Sequence, residues 1–464
     1  MVRVVFYHPP IINNYLVTAP LAYLHLQKGL EGSGHAMELI DGRVVDNPIE
    51  ELLKVAANVD AILVGTMPGT QVKTSLEAIS VVKEKYPNIV VIYGGALPTV
   101  APLPTIKHEL VDIVIQGRGE LSIAELLSAL GDFEKLRQIP NIYLKDENNE
   151  IVRGPVKSYK KEPLLIPQYD KYISDYEPYY LTSRRSTRMI DYISSIGCPF
   201  SCSFCSETAE GVAGWNGVPA IELVDHLVAL KERYGADGVL FQDALFVAHK
   251  QRLHDFCDLM IEREVNLNWI CTARLSDIDS MHKKGILEKM KIAGCEMLFL
   301  GAEAATEETL KIYKKGIKAV DTVRIAKLLW EEYQILPHFS YVLSYPVESM
   351  ESVKKSLELH FEISELIGAP SGELGYYNPV YGTQYIKEFQ HLYIVPEELE
   401  GWADFDFSSQ KLYKTQYPEL DKEMFRHNIK LRRKFRNVPM YLSYDIWQER
   451  SFEKNNVEML SQFI

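Results

Sequence analysis

A chain of 464 residues is too long for one ordinary hydrophobic core and predicts two or three globular domains. Its 50 basic and 63 acidic residues give a net charge of −13, which argues against non-specific nucleic-acid binding. The first residues alternate into a strand that stops at Pro9-Pro10, with no signal-peptide apolar region or cleavage site, and no run reaches membrane-spanning length. A cytoplasmic protein with reduced thiols, and with neither nucleic acid nor membrane as partner, is expected.

Residues 1–145 alternate strand and helix signals: strands at 3–7, 36–41, 61–66, 89–94 and 113–116, helices at 20–32, 49–57, 72–86 and 120–131. This order predicts an α/β domain, a doubly wound, Rossmann-like parallel sheet covered on both faces. Several strands end in small or turn-forming residues, as in Gly65-Thr66-Met67-Pro68-Gly69-Thr70, Gly94-Gly95-Ala96 and Gly117-Arg118-Gly119-Glu120. Loops at the carboxyl ends of parallel strands are where such sheets bind ligands.

Residues 146–183 are polar and Pro-bearing, with a turn at 146–150, and read as a linker. Over residues 184–382 the alternation resumes, with strands at 189–195, 238–242, 267–273, 297–301, 337–343 and 372–377 and helices starting near Ile221, Lys250, Asp277, Glu307, Val320 and Met350. Six repeats fall short of eight, so an open, partial TIM-like (β/α)6 barrel is expected. Residues 383–464, rich in aromatic and charged residues, read as a helical cap over the barrel mouth. The basic run Lys430-Leu431-Arg432-Arg433-Lys434-Phe435-Arg436 reads as the solvated face of a late helix rather than a docking patch.

Chemistry concentrates in Cys198-Pro199-Phe200-Ser201-Cys202-Ser203-Phe204-Cys205, a C-x-x-x-C-x-x-C triplet that supplies three thiolates and no fourth. A structural zinc ion wants four protein ligands, commonly in two pairs, and no partner pair follows. A [4Fe–4S] cluster held by three cysteines keeps one iron open for a substrate or cofactor. Cys257, Cys271 and Cys295 are scattered singly in apolar surroundings and read as small buried hydrophobes.

The triplet resembles that of the radical S-adenosylmethionine (radical SAM) enzymes, in which the open iron is chelated by SAM and one-electron reduction yields a 5′-deoxyadenosyl radical. The resemblance implies roles for other strand-end residues. Gly301 and Glu303, in Gly301-Ala302-Glu303, correspond to a Gly-x-Glu that sets a carboxylate near the SAM ribose; the alternative is a strand end followed by a helix start. Thr272 and Arg274 end the preceding strand, where the guanidinium would pair with the SAM carboxylate. Asp243, in Phe241-Gln242-Asp243, would bond substrate or SAM, or cap a helix. Tyr377 lies in a segment, Tyr376 to Thr383, that resembles the family's closing Pro-x-x-Gly-Thr and would line the substrate cavity or simply pack. Catalytic side chains beyond the cluster are unassigned, with Asp243 and Tyr377 as candidates.

The N-terminal region is similar to the cobalamin-binding domain of one branch of that family, on the strength of His8-Pro9-Pro10, Gly94-Gly95-Ala96-Leu97-Pro98-Thr99 and Gly117-Arg118-Gly119-Glu120. Thr66, Thr70, Gly94, Gly95, Gly117 and Glu120 are the implied cobalamin contacts, glycines serving where a corrin must approach the backbone. The Asp-x-His-x-x-Gly signature that gives cobalt a histidine is absent, and the loop 66–71 is expected beside the lower face. The alternative is a degenerate domain kept as a lid. The resemblance as a whole implies a methyltransferase that acts on an unactivated carbon of a peptide side chain or small biosynthetic intermediate, reduced by a donor such as flavodoxin or ferredoxin. The rivals are a cobalamin-dependent cyclase or ring-contraction enzyme, and a non-catalytic iron–sulfur carrier or redox sensor.

Overall fold

The computed structural model describes residues 1–12, 17–159, 162–209 and 214–436; the last 28 residues of the expected cap lie outside the described residues. Among the described residues the first sheet has seven strands, β1 (Arg3–His8), β2 (Ala36–Asp41), β3 (Ala61–Gly65), β4 (Val90–Gly94), β5 (Ile113–Ile115), β6 (Ile142–Lys145) and β7 (Ile151–Arg153), in the order β2-β1-β3-β4-β5-β6-β7. The first five pair in parallel and the last two antiparallel. Continuous apolar runs such as Val4-Val5-Phe6-Tyr7 and Ala61-Ile62-Leu63-Val64 are buried throughout, as strands of a parallel sheet covered on both faces must be. Their period of two divides them between two cores. Val4, Phe6 and Leu63 meet Leu24 and Leu126 on one face, while Val5, Tyr7, Ile62 and Val64 meet Leu52, Ile79 and Val82 on the other.

Beyond the first sheet, the segment expected as a polar linker behaves otherwise. The predicted turn is present, with Asp146 Oδ1 accepting from the amides of Asn148 and Glu150, but it joins β6 to β7 as a hairpin edge. Further on, Tyr169, Tyr176 and Tyr179 are buried, and Tyr169 stacks on Tyr192 at 5.8 Å and 4°. Their rings join the first face of the sheet to the barrel core, because a tyrosine can bury its ring while its hydroxyl finds a partner.

The second sheet contains β8 (Met189–Tyr192), β11 (Gly238–Phe241), β12 (Asn268–Ala273), β13 (Cys295–Glu303), β14 (Leu336–Leu343) and β15 (Gly372–Tyr376), all parallel and in sequential order. A short pair, β9 (Ser195–Ile196) with β10 (Asn216–Gly217), flanks the cysteine loop. This is the open six-stranded half-barrel that the alternation predicts. Leu181, Met189, Leu240, Ile270, Met297 and Leu336 close its amino end, and Tyr313, Leu343, Tyr376, Tyr377, Tyr385, Tyr393 and Tyr413 gather at its carboxyl end.

After the barrel come the helices Gln384–Phe389 and Pro418–Phe435, joined by irregular chain. The second carries the basic run: Lys430 lies over the Phe361 ring and Lys434 pairs with Glu365, while Leu431 and Phe435 are buried. No helix among the described residues is long and apolar enough to cross a membrane.

Candidate functional site

Asp191, on β8, fixes the two sheets to each other. Its Oδ1 accepts from the Ala19 amide and from the Tyr176 hydroxyl, both at 2.9 Å. Burial pushes its carboxyl up to about 6. A second tie runs through residues 402–407. The Gly69 amide, in the loop after β3, donates to Trp402 O at 2.8 Å, and the Tyr376 amide, at the end of β15, donates to Phe407 O at 2.8 Å. Five residues of chain span at most about 18 Å. The carboxyl ends of β3 and β15 are therefore held near each other by one short segment.

At the barrel end, Cys198, Cys202 and Cys205 are half-buried and close enough to influence one another's ionisation. Burial raises the Cys198 thiol and pushes Cys205 up to about 12. Thiols that water alone leaves protonated are ones a metal must ionise. Among the described residues no group of three His, Cys, Asp or Glu side chains is placed to hold a single ion, and ligands of separate irons need not converge on one point. The loop is anchored by Ser203, whose amide donates to Tyr313 O, whose hydroxyl donates to Ile312 O and whose carbonyl accepts from the Tyr385 amide. Of its aromatic residues, Phe204 is covered by Tyr313 at 4.9 Å, while Phe200 is exposed and carries the Arg274 guanidinium 3.6 Å over its ring.

Beside the loop the structure brings together Arg274, Gly301 and Glu303, and adds a residue the sequence did not suggest. Lys315 Nζ pairs with Glu303 Oε1 at 2.6 Å, both side chains being buried. Arg274 Nη2 donates to Lys315 O. Burial works against the Lys315 charge, but Glu303 and Cys202 outweigh it and hold its pKa above the ordinary lysine value. A Cβ at Gly301 would meet Glu303 Oε1 and Lys315 Nζ, so the glycine leaves room for the pair as it stands. Glu303 sits at a bulge with φ +63 and Lys314 has φ +52, left-handed conformations that cost about 1–3 kcal/mol each and collect at functional sites. In sequence Lys315 lies in Tyr313-Lys314-Lys315-Gly316, which reads as a solvated loop; its burial is a tertiary fact.

The other expected residues sit apart from this cluster. Both Asp243 oxygens are occupied, by the Ser194 amide and the Ser194 and Ser195 hydroxyls, so the carboxylate holds the strand end that leads into the cysteine loop. Thr272 Oγ1 donates to Asp243 O and accepts from the Phe246 amide. Tyr377 is buried against Tyr385 and Tyr393 at 4.4 and 5.3 Å, and Thr383 caps the helix that follows by accepting from the Ile386 amide. Cys257, Cys271 and Cys295 are fully buried as expected and share one core, where the other two thiols influence that of Cys271.

At the end of the first sheet, a Cβ at Gly94 or Gly117 would meet open space, whereas one at Gly95 would press on Thr66 O. Thr66 Oγ1 is buried without a hydrogen-bond partner. Thr70 Oγ1 accepts from the Ile12 amide. Glu120 is paired with Arg118 at 2.7 Å, and Arg118 also donates to the carbonyls of Glu162 and Pro163. Glu120 thus fastens the sheet to the segment that follows.

Residues 8–127 match the B12 binding domain family and residues 192–360 match the radical SAM superfamily. The chain belongs to the radical SAM enzymes that carry a B12 binding domain. A Pyrococcus horikoshii protein named as an uncharacterized methyltransferase is 26% identical over 337 residues, covering 70% of this chain and 69% of that protein. The anaerobic magnesium-protoporphyrin IX monomethyl ester cyclase of Synechocystis is also 26% identical, over 70% of this chain and 64% of its own length. Among solved structures, the cobalamin-dependent S-adenosylmethionine radical enzyme OxsB, with aqua-cobalamin and SAM bound, superposes with a TM-score of 0.71 at 17% identity, covering 92% of this chain and 66% of OxsB. The radical SAM methyltransferase TsrM of Kitasatospora setae gives 0.66 at 18% identity, covering 84% of this chain and 76% of TsrM. At such identities the likeness is one of fold.

A radical SAM enzyme with a B12 domain uses a [4Fe–4S] cluster, SAM and cobalamin, and the residues present fit all three. The three coupled thiols suit the cluster. The buried Arg274 Nε, which has no hydrogen-bond partner, and the neighbouring Glu303–Lys315 pair suit the charged ends of SAM. Open space at Gly94 and Gly117, with the orphaned Thr66 hydroxyl at the same end of the sheet, suits a large ring approaching backbone.

Proposed function

We propose that this enzyme is a cobalamin-dependent radical SAM methyltransferase that methylates an unactivated carbon of a peptide side chain or a small biosynthetic intermediate. The observation that carries the reading is the tie at residues 402–407, which bonds the loop after β3 and the end of β15 and so holds those two strand ends near each other. When bound, the cluster with SAM supplies a 5′-deoxyadenosyl radical and cobalamin supplies a transferable methyl group. The chain's own residues do the rest. Cys198, Cys202 and Cys205 hold three irons and leave one for SAM. Arg274 and Glu303, braced by Lys315, orient SAM by charge-assisted hydrogen bonds, and Gly94, Gly95 and Gly117 admit the corrin. Phe204, packed under Tyr313, shields the cysteine loop from water. The electron enters from a flavodoxin- or ferredoxin-like donor in the cytoplasm.

The test is anaerobic incubation with SAM, a reductant and cobalamin, in the presence of native cell extract as substrate source. Formation of both 5′-deoxyadenosine and S-adenosylhomocysteine supports methyl transfer. Deoxyadenosine without S-adenosylhomocysteine rejects it in favour of a cobalamin-assisted ring-forming reaction, the reading supported by equal identity to the Synechocystis cyclase.

A further inference from the structure

The carboxyl end of the barrel is filled by tyrosines that form an unbroken string from the cysteine loop to the surface. Phe204, between two of the cysteines, lies 4.9 Å from Tyr313, and Tyr313 lies 6.0 Å from Tyr385. Tyr385 reaches Tyr393 at 6.4 Å directly, or through Tyr377 in steps of 4.4 and 5.3 Å. The string continues from Tyr393 to Tyr413 at 5.0 Å, to Tyr417 at 6.4 Å and to Tyr345 at 4.7 Å, where the Tyr345 hydroxyl donates to Glu419 in solvent. Ser203 binds the head of the string at two points, the Tyr313 carbonyl and the Tyr385 amide.

At Tyr313 and Tyr413 the hydroxyls serve the fold, donating to Val342 O and Leu343 O, but elsewhere in the string packing alone would be served by phenylalanine. Buried phenols normally find partners, because an unpaired buried hydroxyl costs about 1–3 kcal/mol. Here the buried hydroxyls of Tyr385 and Tyr393 and Ser344 Oγ turn to one another instead of to a backbone or charged partner. Those of Tyr385 and Tyr393 lie near enough to perturb each other and Ser344. A string of oxidisable rings in mutual contact, begun at Tyr313 behind the cysteine loop and ended at the surface, is suited to moving an unpaired electron.

We propose that this tyrosine string is an escape route that carries a stray radical from the active site to Tyr345, and so protects the cysteine loop when hydrogen abstraction misses its substrate. The inference rests on the radical reading of the site given above. In the first step the carbon-centred radical takes the hydrogen atom of a tyrosine hydroxyl: a C–H bond forms, the O–H bond breaks, and a phenoxyl remains. At each further step the next tyrosine gives one electron and one proton to the phenoxyl before it, so no net charge moves through the core. At Tyr345 the phenoxyl is reduced to phenol by one electron and one proton from a soluble thiol, which leaves as a thiyl radical.

The test uses the reconstituted holoenzyme mixed with SAM and dithionite without substrate, frozen at intervals, with deoxyadenosine measured in the same samples. A tyrosyl EPR signal is expected, narrowing when the protein is grown on ring-deuterated tyrosine. Tyr385→Phe should cut that signal at least fivefold while deoxyadenosine stays within twofold of wild type, and Tyr417→Phe should prolong the signal by blocking the exit. Deoxyadenosine without a tyrosyl signal, or a signal indifferent to Tyr385→Phe, overturns the route and leaves the tyrosines as packing. Absence of deoxyadenosine would count against the radical reading itself. The string is then judged by flash oxidation with a ruthenium photo-oxidant and persulfate: oxidation mapped by mass spectrometry to buried Tyr393 and Tyr385, and lost from Tyr385 in Tyr417→Phe, supports it, and oxidation confined to exposed tyrosines overturns it.

Discussion

The two sheets end in opposite chemistry. The first ends in backbone: Gly94, Gly117 and the Thr66 loop, where the charges that do occur, Asp41 with Arg43 and Arg118 with Glu120, are already neutralised by each other. The barrel ends in charge: Glu303, Lys315 and Arg274 buried around thiols, with glycine at 301 leaving room for the Glu303–Lys315 pair. A large ring with a long tail is recognised by shape and needs room, whereas a small zwitterion is recognised by charge and needs fixed counter-charges. On the proposed assignment, one enzyme would hold two cofactors by two kinds of complementarity.

That contrast can be broken at the barrel first. Cys198→Ala, Cys202→Ala or Cys205→Ala should each abolish the cluster's visible absorbance and all SAM cleavage, while Cys257→Ala, Cys271→Ala and Cys295→Ala keep both; loss of the cluster in one of the latter, with normal folding, would reassign the ligands. Lys315→Met, which leaves Glu303 unpaired and buried, should cost about 3–5 kcal/mol of stability in urea unfolding and abolish SAM-induced change in the cluster EPR spectrum. Restoring balance with Lys315→Met/Glu303→Gln should recover most of the stability and none of the SAM response.

The joint between the regions gives a pH signature. Asp191 has its folded pKa raised by burial from 3.8 to about 6. Between those values the folded state holds the proton more tightly than the unfolded one, so stability is greatest below about pH 4 on this account and falls as pH rises to 6, by about 3 kcal/mol in all. Asp191→Asn should flatten that slope; an unchanged urea midpoint profile between pH 4 and 7 in the variant would show that the carboxyl is not the group responsible. The smallest effects sharpen the contrast at the first sheet. Gly94→Val should weaken cobalamin binding with no change in melting temperature, since its Cβ meets nothing. Gly95→Val, at φ +99 and against Thr66 O, should lower stability by about 1–3 kcal/mol even without cobalamin. Equal behaviour of the two variants would mean that Gly94 does not face the ligand.

The elements that could be read from sequence are those whose signal is local. Runs such as Ile62-Leu63-Val64 and Val91-Ile92-Tyr93 announce buried strands by their own composition, and the cysteine triplet carries its family resemblance in its spacing. What could not be read depends on partners distant in the chain. Lys315 resembles any loop lysine until Glu303 folds over Gly301 to meet it. Asp243 stands at a strand end as a catalytic carboxylate would, yet its oxygens are taken by Ser194 and Ser195, some 49 residues earlier. Between the domains, polar and proline residues outweighed Tyr169, Tyr176 and Tyr179, whose rings the core requires.

Trp402 gives the fold an order of assembly. It is fully buried in the second face of the N-terminal sheet, among Leu52, Ile79, Val82 and Leu97. On the ribosome, every strand of that sheet is made long before this indole exists, so the nascent domain must wait with an unfilled socket while the whole barrel is synthesised. Completion of the first domain is thereby deferred until the second has been translated, and a chain interrupted before residue 402 leaves the B12 domain with a gap in its core.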